Sequence, residues 1–240
     1  MPVLASERRS QIARETAAAL LQIGAVRLAA DRPFMFSSGL VSPVYIDCRR
    51  IISYPEVRER LMGFATEILL NDMPGTQSVA GGETAGIPFA ALIAAKTALP
   101  MQYVRKRPKG YGPHAQVEGV VMPGQRVTLI EDLTTDGGSK LRFCKALRRA
   151  GAVVSDCLVI FYYDIFPQTR TMLKDEGLAL HALANWQDIL AVAGTDGPFD
   201  ATELTEIRSF LDNPLDWSAR HGGASRLFLL NQSLPIERTV

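Results

Sequence analysis

Residues 127–140 read V-T-L-I-E-D-L-T-T-D-G-G-S-K, an apolar run ending in two adjacent acids, Glu131 and Asp132, and a Gly-rich turn. Thr134, Thr135, Asp136, Gly137, Gly138 and Ser139 supply hydroxyls, unobstructed backbone N–H groups and the start of a helix. Together these make a cradle for a phosphate-sized anion, and ligands of open α/β sheets sit at the carboxyl ends of strands. Phosphate would repel the two acids, so they need another role. Carboxylates accept hydrogen bonds from sugar hydroxyls and hold hydrated Mg2+. A sugar phosphate with a cis-diol, accompanied by magnesium, satisfies both halves. The bland alternative is a plain strand-to-helix connection with two surface acids. A nucleotide-triphosphate loop does not fit, because G-x-x-x-x-G-K-[ST] is absent here.

A second segment, 103–119, reads Y-V-R-K-R-P-K-G-Y-G-P-H-A-Q-V-E-G. Arg105, Lys106, Arg107 and Lys109 are crowded together in a nearly neutral chain, and Pro108, Gly110, Gly112 and Pro113 oppose regular structure. Such a loop after a strand suits closure over a polyanion, where Lys and Arg can stabilise charge on a departing pyrophosphate. Solvated basic loops are also common. Residues 110–115 formally fit G-x-G-x-x-A, but Pro113 interrupts the match and no helical pattern follows. Two further segments carry turn chemistry. Residues 34–49 read F-M-F-S-S-G-L-V-S-P-V-Y-I-D-C-R, in which Ser38-Gly39 gives a tight turn with free N–H groups. Tyr45-Ile46 there offers a flat apolar surface to a planar ring, though an ordinary turn before an edge strand would read the same way. Residues 79–89, V-A-G-G-E-T-A-G-I-P-F, place glycines before a helix.

The 131–139 segment resembles the motif by which type I phosphoribosyltransferases bind phosphoribosyl pyrophosphate (PRPP): two acids, two variable positions, then Thr-Gly-Gly-Ser or a variant. The basic loop, with its R-K-x-x-K core, and the 34–49 segment are similar to those of the orotate phosphoribosyltransferase family. The resemblance runs in order from residue 30 to about 195. It implies transfer of ribose 5-phosphate from PRPP to orotate, giving orotidine 5'-monophosphate and pyrophosphate in pyrimidine biosynthesis. It implies Glu131 and Asp132 on the ribose hydroxyls, with Asp132 also near hydrated Mg2+, Thr134 to Ser139 around the 5-phosphate, and Leu133 within the PRPP-binding segment. Arg105, Lys106 and Lys109 would contact PRPP, with Lys109 nearest the pyrophosphate charge. Glu83 to Gly86, with Thr84 and Ala85 central, would offer N–H groups to pyrophosphate oxygens. Ser38, Gly39, Tyr45, Ile46 and Thr135 would form the orotate side. Lys109, Asp132 and Arg105 are thus the expected catalytic residues, in a homodimer whose basic loop reaches the neighbouring site.

The chain departs from the family pattern at several positions. Asp136 stands where Thr is common, so its side chain is expected to point away from phosphate while its N–H contributes. Tyr111 replaces a frequent His, although His114 is nearby. Ser37 and Ala85 stand where some members carry Lys, and no Arg is evident near Tyr163-Asp164-Ile165 to pair with the orotate carboxylate. That last absence keeps a phosphoribosyltransferase for another base open. A PRPP-sensing regulator without catalysis is the alternative from a different class.

The elements that must position these residues follow from periodicity. Ser6–Ile23 reads as a helix with Ser6 as its cap, and Pro55–Leu70 as another, with Val57, Leu61, Phe64, Ile68 and Leu69 at helical spacing. Ala85–Thr97, Lys140–Ala150, Gln168–Glu176 and Ala201–Leu211 also read as helices. Strands are expected at Val44–Asp47, Val79–Ala80, Met101–Val104, Val127–Ile130, Asp156–Phe161 and Leu178–Leu183. Short apolar strands alternating with helices give crossover units on a parallel sheet covered on both faces. The expected architecture is an α/β parallel-sheet phosphoribosyltransferase domain over 1–195, its N-terminal helix and hood filling about 1–50. A helical C-terminal extension of unclear role would span 196–240.

Bulk properties narrow the partners. The chain of 240 residues is 47% hydrophobic and 21% charged, enough for a sizeable core. With Lys plus Arg at 26 against 25 acids, there is no general attraction to nucleic acid or to anionic membranes. Its three cysteines, Cys48, Cys144 and Cys157, have no C-x-x-C spacing. No secretory signal and no membrane span is visible, so a cytoplasmic protein is expected.

Overall fold

The structure is a computed structural model and describes residues 4–29, 31–36, 38–109, 116–196 and 198–226. The chain forms two compact units, one of Met1–Arg27 with Ile46–Asp200, the other of Leu28–Tyr45 with the chain from Ala201.

The first unit opens with α1 (Ser6–Gln22). Ala5 stands at the cap and Ser6 is already helical, with no side-chain cap bond, so Ser6 does not cap as expected. Ile12, Ala19, Leu20 and Ile23 are buried, as their spacing predicts. Val26–Leu28 is β1. In the second unit, Phe34–Met35 (β2) and Val41–Ser42 (β3) pair antiparallel. Val44–Ile46 is β4, followed by a 3-10 turn over Cys48–Ser53 and by α2 (Pro55–Asp72), whose Pro sits in the first turn.

The sheet follows. Ser78–Gly82 (β5) leads into α3 (Gly86–Thr97), and Met101–Val104 (β6) is joined by the short Val117–Glu118 (β7). Arg126–Thr134 (β8) leads into α4 (Gly138–Arg149), and Val153–Tyr162 (β9) into α5 (Pro167–Asp175). Ala179–Asn185 (β10) runs into α6 (Trp186–Asp196). The sheet order is β10-β9-β8-β5-β6-β7, parallel except for β7. Leu129, Cys157 and Val159 pack with Leu141, Cys144 and Leu147 of α4, while α3 packs on β5 and β8. This is the α/β architecture the alternation predicts.

Strand β8 runs four residues beyond the apolar Val127–Ile130, because β9 pairs with it as far as Leu133↔Phe161 and Thr134↔Tyr162. Glu131 to Thr134 are therefore held by a ladder rather than by the turn expected from composition.

In the second unit, α7 (Ala201–Asp212) and α8 (Pro214–Arg220) share a small core with the hairpin. Phe210 and Trp217 meet edge to face at 5.7 Å, and Trp217 stacks on His221 at 3.6 Å. Ser218 Oγ accepts from Val41 N–H at 3.0 Å, and Gly39 O accepts from Ala224 N–H at 2.8 Å. The segment after residue 200, expected from sequence to be a helical extension of unclear role, thus belongs with its α7 and α8 to the unit that contains Ser38, Gly39 and Tyr45.

Candidate active site

Strand β8 delivers Glu131 and Asp132 to its carboxyl end, and Gly137 turns the chain into α4. Gly137 has φ +79°, and a Cβ there would lie 3.1 Å from Leu173 and 3.2 Å from Met172, so the turn requires glycine. Asp136 Oδ1 accepts from Gly138 N–H at 2.9 Å, which folds its carboxylate into the loop's own backbone. Asp132 is half-buried, and no hydrogen bond or ion pair to it is seen among the described residues.

Glu131 has a different fate. It is 5% exposed and is bound by the buried Lys140, Nζ to Oε2 at 2.5 Å. Its other carboxylate oxygen lies over Gly82 and Gly86, leaving no room for a Cβ at either glycine. Lys140 Nζ also donates to Ser139 Oγ at 3.2 Å. Burial pulls the Lys140 amine down, but the neighbouring Glu131 and Asp132 outweigh it and hold the amine above its ordinary value. The pair is an ion pair. The sequence reading missed Lys140, although a Lys in the first turn of a helix, where the dipole disfavours cations, is a legible oddity. Cys48 is also buried here; burial pushes its thiol up, and the charge of Asp132 adds to that.

The segment before α3 comes beside this point through β5. Glu83 N–H donates to Val104 O at 2.8 Å, so it belongs to the sheet and is not available to an oxyanion as expected. Thr84 is exposed and Ala85 stands at the cap of α3. Glu83 Oε2 accepts from Lys106 N–H at 2.6 Å, tying this loop to the root of the basic loop. In that loop Lys109 pairs with Glu118, and Arg105 reaches the same carboxylate oxygen at 3.4 Å. The Lys109 hydrogen bond holds the Glu118 carboxyl below its ordinary value. Lys106 is exposed. Gly110, Tyr111, Gly112, Pro113 and His114 lie outside the described residues, as does Ser37.

The expected base-side residues divide between the units, with Ser38, Gly39 and Tyr45 in one and Ile46 in the other. Gly39 has φ +80° and its N–H donates to Phe36 O at 2.9 Å, so that N–H is used within the turn rather than free. Tyr45 packs against Phe34 and Phe36, with ring centroids at 5.4 and 6.1 Å. Ile46 is fully buried, so its side chain is core and not a ring-stacking surface. Its N–H donates to the buried Tyr163 hydroxyl at 3.1 Å. Asp164 is paired with Arg170 at 2.5 Å.

Chemically, Asp132 can accept hydrogen bonds from hydroxyl groups, and the Gly-rich entry to α4 can receive an anion. No family model matches the chain. It is 56% identical over 211 residues to the orotate phosphoribosyltransferase of Cereibacter sphaeroides (strain KD131 / KCTC 12085), covering 87% of this chain and 91% of that one. It is 54% identical over 209 residues to the enzyme of the same name from Roseobacter denitrificans, covering 86% and 93%. The crystal structure of orotate phosphoribosyltransferase from Aeropyrum pernix superposes with a TM-score of 0.66 at 32% identity, over 75% of this chain and 99% of that one. With relatives this similar along nearly their whole length, the chain belongs to the orotate phosphoribosyltransferase family.

Proposed function

We propose that the protein transfers the ribose 5-phosphate group of PRPP to orotate, giving orotidine 5'-monophosphate and pyrophosphate in pyrimidine biosynthesis. The observation that carries this reading is the half-buried Asp132 at the end of β8, without a protein partner among the described residues, beside the Gly137 entry to α4. A carboxylate so placed accepts hydrogen bonds from a sugar diol while the turn and helix start accept its phosphate.

Magnesium fits the same residues. Mg2+ binds proteins through one or two carboxylates and takes its other ligands from water and substrate phosphates. Asp132 is such a donor, and no group of three or more potential ligands is found among the described residues. The ion, when bound, supplies charge neutralisation to the pyrophosphate. The chain's own groups do the rest. Asp132 orients the ribose, the 134–139 turn anchors the 5-phosphate, and Lys109 and Arg105 stabilise negative charge on the pyrophosphate as orotate N1 bonds to the anomeric carbon. We further propose a homodimer in which the basic loop serves the neighbouring site, and a cytoplasmic setting, supported by the free buried cysteines. No described helix is long and apolar enough to cross a membrane.

The test mixes purified protein, PRPP, Mg2+ and orotate and follows loss of orotate absorbance, with Lys109→Ala in parallel. Mg2+-dependent conversion lost in the variant supports the reading. Turnover of another base but not orotate would move the substrate, in line with the absence of Arg from 163–165. No turnover with any base would overturn the transferase reading.

A further inference from the structure

The buried ammonium of Lys140 is not accounted for by the stability of its helix. It stands in the first turn of α4, where the positive end of the helix dipole disfavours a cation. It is also 4% exposed, and taking an ammonium and a carboxylate out of water is costly enough that apolar residues of similar size often replace such pairs without loss. Folding alone would be served as well by apolar residues at both positions of the pair.

What the ammonium touches suggests its use. One bond goes to Glu131 Oε2 at 2.5 Å, the first acid of the strand-end pair. The other goes to Ser139 Oγ at 3.2 Å, the last hydroxyl of the phosphate turn. The bond to Ser139 has a directional consequence. Ammonium only donates, so the Ser139 oxygen must accept from it, and the Ser139 O–H is left to donate elsewhere. A hydroxyl fixed as a donor favours an anion over water.

The contact to Glu131 is equally specific. The carboxylate is clamped between Lys140 on one side and the Cβ-free surfaces of Gly82 and Gly86 on the other. Its position thereby fixes the spacing between the end of β8 and the start of α3, the two places where PRPP is expected to be gripped. Lys140 also places a positive charge beside two acids that would otherwise repel the ligand's phosphates.

We propose that Lys140 is a positioning residue for PRPP, acting through the Glu131 carboxylate and the Ser139 hydroxyl. This rests on the transferase reading above. Lys140 need not touch the substrate, and its effect is confined to the PRPP side of the reaction.

The test is steady-state kinetics with PRPP and orotate varied separately. The proteins are the wild type, Lys140→Met, Lys140→Arg, Glu131→Gln and the Glu131→Gln/Lys140→Met double variant, each with its thermal midpoint measured. For Lys140→Met the KM for PRPP rises about tenfold or more, the scale of a lost charge-assisted hydrogen bond. The KM for orotate changes less than about twofold, and Lys140→Arg restores part of the loss. In the Glu131→Gln background the same Lys140→Met change has a several-fold smaller effect, because the group it acts through is already altered.

Lys140→Met leaves a buried carboxylate unpaired and can fail to fold. The double variant, which leaves no unpaired charge, then carries the comparison with Glu131→Gln and with Ser139→Ala. A double variant that folds like wild type but binds PRPP about tenfold more weakly by calorimetry supports the proposal. An active wild type beside a folded Lys140→Met with unchanged PRPP KM, or with both KM values raised alike, overturns it. A wild type without turnover would instead defeat the transferase reading itself.

Discussion

The carboxylate of Glu118 holds Lys109, and Arg105 reaches the same oxygen at 3.4 Å, so two of the three cations expected to contact PRPP are engaged by one acid. Binding of a polyanion must compete with this pairing. Glu118→Gln is therefore expected to lower the KM for PRPP by about two- to fivefold at low ionic strength, the range of a partly exposed ion pair. Kinetics repeated at about 0.5 M salt, where such attractions are screened, should erase the difference.

Asp132 answers to a different measurement. Asp132→Asn keeps the shape and removes the charge that would orient the diol and the hydrated ion. The expected loss in kcat/KM is about a hundredfold or more. Its thermal midpoint should stay near that of the wild type, because no hydrogen bond or ion pair to a described residue is lost.

Two glycines of unlike surroundings give a stability test. A Cβ at Gly86 would lie 2.5 Å from Glu131 Oε1 and against Ile130 O, so Gly86→Ala should destabilise by about 1–3 kcal/mol. Gly63, inside α2, has nothing within 4 Å of a Cβ, and Gly63→Ala should stabilise by about 0.5–1 kcal/mol. Chemical denaturation of the two variants should move in opposite directions.

Asp156 should contribute to the acid limb of stability. Burial would raise its carboxyl, but hydrogen bonds with His181 at 2.9 Å and Ser155 at 2.6 Å outweigh burial and hold it below its ordinary value. A carboxylate depressed in the folded state stabilises above its unfolded pKa of about 3.9, and that contribution disappears as pH falls through the lower folded value. Asp156→Asn should flatten the pH dependence of unfolding free energy below about pH 4 and lower stability at neutral pH.

Ser218→Ala removes the acceptor for Val41 N–H in the unit that holds Gly39 and Tyr45. An orphaned buried N–H costs about 1–3 kcal/mol. The variant should raise the KM for orotate more than the KM for PRPP, measured by varying each substrate in turn.

The sequence was most legible where local pattern and chemistry coincide. The run from Val127 to Lys140 shows its strand, its acids and its helix entry in one reading, and Met101–Val104 matches β6 to the residue. The polar end of β8 was not legible, because Glu131 to Thr134 are strand only through pairing with β9. Strands of two residues such as Phe34–Met35 and Val41–Ser42 carry no period to detect. The partnership of Val41 with Ser218 spans 177 positions and leaves no local trace. Lys140 is read from sequence only as the start of a helix, because its partner, nine positions earlier, reads as a ligand group.

The unit containing Ser38, Gly39 and Tyr45 is closed by α7 and α8, which are synthesised more than 150 residues later. On a ribosome adding about 5–20 residues per second, the β5-to-β10 sheet can assemble while the base-side hairpin still lacks Phe210, Trp217 and Ser218. The first part of the expected site to be made is thus the last to be buttressed, and the nascent chain can complete the Gly-rich entry to α4 several seconds before the unit that holds Gly39 and Tyr45.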